Sequence, residues 1–314
     1  MSDELGEKGR GGEELWWVAL QQVEGLGPST MLRLARVFGS AEAAARAPSQ
    51  ELMTRGRLSP EQAAQVSLLP KSLPRLQDQI AAWQAHGIGL LSLADPRYPS
   101  RLRDLRSPPP LLYLRGDLRE EDARGVAVVG TRDPDPAGAR FARKLARGLA
   151  DRGFTIVSGL ARGVDTAAHR GATATRDGRT IAVLGSGLLR IYPPENALLA
   201  ARICEKGCLI AEVPPDTEVE RRLLLARDRI QAALSRAVIV VQAHPECGTI
   251  VTAQYAVRCR RMLFAIPWSQ GPFASGWEQL RQMGARAVEQ DANLDALAAT
   301  IEAEPDEPDQ RSLL

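Results

Sequence analysis

Four short stretches of this chain hold the residue types best suited to chemistry. They are Gly130-Thr131-Arg132, Ser158-Gly159-Leu160-Ala161-Arg162-Gly163, Gly185-Ser186-Gly187 and Cys247-Gly248-Thr249. Glycine lets a backbone approach a ligand closely, hydroxyls donate hydrogen bonds, and a guanidinium fork matches an oxyanion. Where such a stretch opens a helix, unpaired N–H groups and the helix dipole add partial positive charge. This chemistry suits holding a phosphate group. A glycine at a strand-to-helix turn is often only a steric requirement. It is the coincidence of four such stretches, two with arginine, that favours an anion site.

The commoner nucleotide fingerprints are missing. Gly185-Ser186-Gly187-Leu188-Leu189-Arg190 lacks the third glycine of a dinucleotide loop, Gly130 starts no such run, and no Walker A sequence occurs. The histidines are His86, His169 and His244. Asp165 and His169 stand four residues apart, on one helical face, where they form either an acid–base pair or, more commonly, a structural cap. Cys204-x-x-x-Cys208 and His244-x-x-Cys247 have loosely metal-like spacings without a second matched pair. No nucleophile elbow or H-E-x-x-H sequence is found. The reading therefore assigns no catalytic residue, no metal and no cofactor.

The elements that would position these stretches follow from hydrophobic patterning. Short apolar runs at 126–130, 154–158, 180–185, 208–212, 237–242 and 262–267 alternate with amphipathic segments at 136–152, 165–175, 195–206, 218–234, 249–260 and 276–284. That alternation predicts an α/β fold, an extended Rossmann-like domain with a mainly parallel sheet covered on both faces. In such a sheet ligands bind beyond the carboxyl ends of the strands, where the four stretches fall. This domain is expected over 95–290. Ahead of it, Leu15, Val18, Ala19 and Val23, then Leu32, Leu34, Ala35 and Phe38, repeat at helical spacing and predict a small all-helical domain over 13–70. Ser59-Pro60 reads as an N-cap and first helical position. Residues 1–12 read as a disordered leader, 71–94 as a linker and helix, and 291–314 as an acidic, Ala-rich tail with one short helix and then disorder. Gly25-Leu26-Gly27 matches the hairpin turn of helix-hairpin-helix modules, which makes Gly25 and Gly27 a second candidate nucleic-acid contact; a plain helix stop explains it equally well.

Composition narrows the class. The 314 residues carry 40 basic and 38 acidic side chains, a net charge of +2. Residues 1–125 hold 16 of each sign; 126–286 hold 23 basic and 14 acidic, or +9; 287–314 hold one basic and eight acidic, or −7. The positive excess thus lies in the segment carrying the four stretches, where it would attract a polyanion. No apolar run approaches a membrane span, the first residues lack a signal-peptide layout, and four cysteines suggest a reducing cytoplasm.

Taken together, these residues resemble the DNA processing protein A (DprA, also called Smf) family. The resemblance runs from Asp95-Pro-Arg-Tyr-Pro99 and Pro109-Pro-Leu-Leu-Tyr113-Leu-Arg-Gly116 through Val126-Ala-Val-Val-Gly-Thr-Arg132. It continues with Ile156-Val-Ser-Gly-Leu-Ala-Arg-Gly-Val-Asp165, His169, Thr180-Ile-Ala-Val-Leu-Gly-Ser-Gly187, Tyr192-Pro-Pro-Glu-Asn196 and Gly248-Thr-Ile-Val-Thr252-Ala253. It implies a protein, not an enzyme, that binds single-stranded DNA, protects incoming strands in natural transformation, helps load the RecA recombinase and works as a homodimer. Carried over by motif, Arg132, Ser158, Gly159, Arg162 and Gly163 would form the DNA pocket. Gly185, Gly187, Tyr192, Asn196 and Thr249 would line neighbouring loops, joined by Gly130, Thr131, Ser186, Arg190 and Gly248 from the same stretches. Arg227 and Arg229 would hold phosphates, and the dimer contact would fall near 276–288, with Leu280 and Met283.

Some residues depart from the family pattern. Asp228 stands where the family has Asn between two arginines, Cys247 replaces a serine, and the late Ser-Gly-x-Asn is altered around Trp277. A C-terminal winged-helix domain, common in the family, is expected to be absent or removed. The competing enzyme reading is a nucleotide or phosphoribosyl hydrolase of the lysine-decarboxylase-like group, of whose motif only Gly248-Thr249 is present. A third reading, an adaptor acting through the helical domain alone, predicts no nucleic-acid affinity. Duplex binding is left open.

Overall fold

The structure is a computed structural model and describes residues 4–245 and 247–303, with side chains from residue 12 onward. Two compact units divide the chain: 1–98 with 106–113, and 99–105 with 114–314.

The first unit is built from α1 (Glu4–Gln21), α2 (Pro28–Phe38), α3 (Ala41–Ala45), α4 (Ser49–Thr54) and α5 (Pro60–Ala85), followed by strand β1 (Ile88–Ser92) and the start of β2 (Leu111–Gly116). Trp16, Trp17, Leu20, Leu34, Leu52, Leu76 and Trp83 are buried in its core. Ser59 caps α5 with a full capping box through Gln62, and Pro60 takes the first turn, as the sequence predicts. The expected boundary near residue 70 is not a break: α5 runs through Pro70 and Pro74. An interior proline costs about 3 kcal/mol. Burial of Ala63, Val66, Leu69, Leu76 and Trp83 along one helix outweighs it. The helix α1 also starts inside the predicted leader, at Glu4; residues 1–3 lie outside the described residues.

The second unit carries the parallel sheet. Its strands are β3 (Gly125–Val129), β4 (Thr155–Ser158), β5 (Thr180–Leu184), β6 (Cys208–Ala211), β7 (Ala237–Val240), β8 (Met262–Ala265) and the two-residue β9 (Arg286–Ala287). They lie in the order β6-β5-β4-β3-β7-β8-β9, with every neighbouring pair parallel. Intervening helices are α6 (Pro136–Ala150), α7 (Val164–Thr173), α8 (Ala197–Lys206), α9 (Arg221–Leu234), α10 (Gly248–Arg258) and α11 (Ala274–Gln282). The strand runs are wholly buried, as a sheet covered on both faces requires. Because β3 pairs with β4 on one side and β7 on the other, the chain reverses its direction of travel across the sheet at β3. The loops after β3 and β7 therefore flank the switch point.

A last helix, α12 (Leu294–Ala303), buries Leu297, Ala298 and Ile301 in the core formed by α6, α7 and the sheet. Part of the predicted acidic tail is thus core, and 304–314 lie outside the described residues. Among the described residues no helix is long and apolar enough to cross a membrane.

Candidate nucleic-acid interface

At the carboxyl edge of the sheet in the second unit, a shallow, open cleft is lined by Arg132, Gly159, Ala161, Arg162, Tyr192, Pro193 and Leu224. Sequence reasoning names four of these. Ala161, Pro193 and Leu224 carry no polar signal, but Leu224 could have been found: it lies one helical turn before Arg227 on α9.

The floor of the cleft is the loop after β4, and its conformation is set from below. Leu160 has φ 58° and Gly163 φ 75°, both left-handed, so the backbone there needs support. Asp165, on the first turn of α7, accepts a hydrogen bond from the Gly159 N–H (3.1 Å). His169, one turn later and wholly buried, takes the Leu160 N–H on Nε2 (3.3 Å). Thr180 Oγ1 donates its single hydrogen to the Ile156 carbonyl (2.7 Å), so the His169 Nδ1–H must donate to Thr180 Oγ1 (2.8 Å). The ring is therefore neutral with both nitrogens spent. Burial, and secondarily the nearby Arg227, push its pKa down to about 3. This is the structural outcome for the Asp165–His169 pair: no free lone pair is left for proton transfer. Asn196 completes the support by donating to the Leu160 carbonyl and to Thr166 Oγ1, both at 2.8 Å.

Arg227 differs from the expectation that it holds phosphate. It is 8% exposed, lies under the loop, and donates to the carbonyls of Leu224 (3.2 Å) and Val183 (3.1 Å). Asp228 is 3.0 Å from its Nε and Asp165 is 3.8 Å from its Nη2. A Cβ on Gly159 would sit 1.2 Å from Arg227 Nη1, so glycine is required there by the buried guanidinium and not by a ligand. Arg229 differs too. Two residues along an α-helix point about 200° apart, so it cannot share the direction of Arg227. It pairs instead with Glu212, a carboxylate whose pKa burial pushes up and Arg229 pulls down.

Other expected contacts are internal as well. Ser158 Oγ donates to the Val128 carbonyl (2.8 Å), and Ser186 Oγ to the Arg190 carbonyl (2.7 Å). Thr131 is mostly buried, with its Oγ1 accepting from the Asp133 N–H (3.2 Å). Gly130, Gly185 and Gly187 are packing positions, where a Cβ would lie 2.6 Å from Val164 Cγ2, 2.7 Å from Leu224 Cα and 2.1 Å from the Pro215 oxygen. Leu280 is buried inside its own chain and Met283 is half-buried. In the first unit, the Leu26 and Gly27 N–H groups of the helix-hairpin-helix-like turn donate to Val23 O and Gly25 O, each at 3.2 Å.

What stays available is specific. Arg132 is exposed and has no hydrogen-bond or ion-pair partner among the described residues. Arg162 is exposed and, among the described residues, is paired with the similarly exposed Glu195, which an incoming phosphate could displace. Arg190 is likewise held only by exposed Glu218, at 3.2 Å. Tyr192 is half-exposed at the cleft wall. At the start of α10 the Gly248 and Thr249 N–H groups have no acceptor among the described residues, and a Cβ on Gly248 would meet nothing within 3.7 Å. Asp228 stands beside that helix start, its carboxylate 3.7 Å from where a Gly248 Cβ would lie; burial raises its pKa to about 7 against the pull of Arg227.

The fold and this edge define a class: a Rossmann-like α/β domain with a guanidinium-rimmed cleft at the carboxyl ends of its strands, over a loop fixed from inside. Residues 89–298 match the model of the family described as DNA recombination-mediator protein A. The chain belongs to that family. It is 39% identical over 259 residues to the protein Smf of Synechocystis, covering 81% of this chain and 65% of that protein's length. Among solved structures, DprA of Streptococcus pneumoniae superposes with a TM-score of 0.73 at 28% identity, over 90% of this chain and 97% of that one. DprA of Helicobacter pylori, described for its single-stranded DNA binding mode, gives 0.60 at 30% identity, over 68% and 95%.

Proposed function

We propose that this protein binds single-stranded DNA at the cleft, with Arg132 and Arg162 on phosphates, the α10 amides of Gly248 and Thr249 nearby, and Tyr192 against a base. The observation that carries this reading is Arg132: an exposed, uncommitted guanidinium on the rim of a cleft whose floor is fixed from below. Family membership supports DNA as the polyanion. The finer role is protection of strands and their delivery to the RecA recombinase, by a cytoplasmic homodimer without catalysis, in natural transformation and recombination. Binding of this kind is indifferent to sequence and weakens with salt.

Fluorescence anisotropy with labelled oligothymidine at several salt concentrations tests it. Arg132→Ala is expected to weaken binding about equally for all base compositions, by about 1.5–3 kcal/mol, the range for a hydrogen bond to a charged group. It should also lower the salt slope by about 0.7, the value for one phosphate of a single strand. Unchanged affinity and slope would remove the cleft from DNA binding.

A further inference from the structure

The outer face of α6 carries a row of exposed basic side chains, most of them without an ion-pair partner among the described residues. Arg140, Arg143, Lys144 and Arg147 fall at i, i+3, i+4 and i+7, within an arc of about 100°, and span about 10 Å of helix. All four are exposed, while Phe141, Ala142, Leu145, Ala146 and Leu149 bury the opposite face. The helix contains no acidic residue. Arg140, Arg143 and Lys144 have no hydrogen-bond or ion-pair partner among the described residues, and Arg147 has only a loose 3.8 Å pairing with Asp151. Several exposed arginines elsewhere are answered by a carboxylate on the same helix or turn: Arg46 by Glu42, Arg55 by Glu51, Arg222 by Glu220, Arg281 by Glu278. Like charges at helical neighbour spacing repel by a few tenths of a kcal/mol per pair. The face therefore tolerates a standing cost that a single glutamate would have relieved.

Its place in the fold gives the stripe a use. Residue Arg132 of the cleft lies just ahead of α6, and Asp135 caps the helix. The helix α7 packs closely against α6, with Gly171 against the Arg143 carbonyl, and adds the exposed, unpartnered Arg170. We propose that the outer face of α6 is a second anion-binding surface, which takes the phosphates of a DNA strand after it leaves the cleft past Arg132. This rests on the reading of the cleft as a strand-binding site. The cleft sets where the strand enters, and the stripe sets how its affinity grows with length.

The test is the triple variant Arg140→Gln, Arg143→Gln and Lys144→Gln, whose exposed side chains make no tertiary hydrogen bond, with Arg140→Lys and Arg143→Lys as the charge-preserving control. Binding is measured against salt for oligothymidines of about six and about thirty nucleotides, spanning one and several contact lengths. The triple variant is expected to bind the short strand like the parent. On the long strand its salt slope should fall by about 2, roughly 0.7 for each of three lost phosphate contacts. The lysine control should keep the parental slope. A long-strand slope equal to the parent's would overturn the stripe while intact short-strand binding leaves the cleft standing. An equal loss on both lengths would also overturn it, since the charge would then act as a general field. If the parent binds neither length, the cleft and the stripe fall together.

Discussion

Asp228→Asn removes one charge at the site while keeping the shape of the side chain, and the structure fixes what should follow. The carboxyl is 5% exposed. It faces Arg227 on its own helix, Asp165 on α7, Arg132 on the loop after β3, and Thr252 on α10. Burial raises its pKa from 3.8 to about 7; Arg227 opposes the rise, Asp165 adds to it, and Arg132 and the Thr252 hydroxyl oppose it again. In the unfolded chain the group ionises near its ordinary value. Between the two values the folded protein holds a proton that the unfolded chain has lost, so stability is full below about pH 4, falls as pH rises, and levels off above about pH 7. At about 1.4 kcal/mol per pH unit the whole loss is on the order of 4 kcal/mol, and roughly 2 of it falls between pH 5 and 7, since the group is still half protonated at 7. Asparagine resembles the neutral acid and has no such dependence. His169 acts in the opposite direction over an overlapping range, but it is common to both proteins and cancels in their difference. Urea unfolding of parent and variant at intervals from pH 5 to 8 measures that difference. The variant's advantage should grow by roughly 2 kcal/mol from pH 5 to 7 and flatten by about pH 8. A difference constant to within about 0.5 kcal/mol, the scatter of a neutral surface change, would refute the reasoning.

The same variant reports on the ligand. A phosphate that engages Arg132 cancels one of the charges lowering the Asp228 pKa, so binding draws a proton onto the carboxyl. Affinity of the parent should then rise as pH falls through 7, while Asp228→Asn should bind with little pH dependence there and more tightly than the parent above it.

Two further outcomes follow from the support beneath the loop. Gly159→Ala places a methyl group on a guanidinium already held by two carbonyls and two carboxylates, so it should destabilise the fold by about 3 kcal/mol or more in urea titration. A parental midpoint would show that Arg227 is not where the structure puts it. The depressed pKa of His169 means that the unfolded chain takes up a proton first, so stability is full above about pH 6.5 and is lost as pH falls toward 3. His169→Gln should remove that part of the acid lability, on the order of 4 kcal/mol, which acid titration of unfolding in parent and variant measures. Identical acid limbs would mean that the ring is solvated.

Much of the second unit was legible because alternation of buried strands with amphipathic helices is a strong local signal. The six expected strands and six expected helices of that unit occur within about three residues of their predicted ends. The elements missed are those whose cause is not local. Both residues of β9 are exposed, and it exists only as a partner to β8. The short helix expected in the acidic tail occurs as α12, but that its Leu297 and Ile301 join the core was not legible. The helix α5 passes two prolines that local rules treat as stops. At the site, residue types were read correctly but their commitments were not. Whether a guanidinium is free depends on buried carboxylates far away in sequence: Asp165 precedes Arg227 by 62 residues, and Glu212 precedes Arg229 by 17. The 200° between residues 227 and 229 was available from helical geometry alone and argues against a shared ligand.

The commitments change how the edge can hold a strand. A glycine-rich loop after a strand suggests a cradle of main-chain N–H groups around a phosphate, and the loop after β4 has that composition. Two of its N–H groups are already taken: Gly159 donates to Asp165, and Leu160 donates to His169. Val164 and Thr131 donate to the carbonyls of Thr131 and Gln242. An external phosphate would have to displace a buried carboxylate that Arg227 also holds, and breaking such a pair costs about 3–5 kcal/mol. That exceeds the roughly 1.5–3 kcal/mol that a charged hydrogen bond returns. On the proposed reading a strand would therefore be gripped from above, by Arg132 and Arg162, with the occupied loop as a rigid ledge beneath them. Asp165→Asn discriminates between the two modes. If main-chain nitrogen were the grip, relieving the internal anion would tighten DNA binding; if guanidinium is the grip, the loop loosens and binding weakens together with stability.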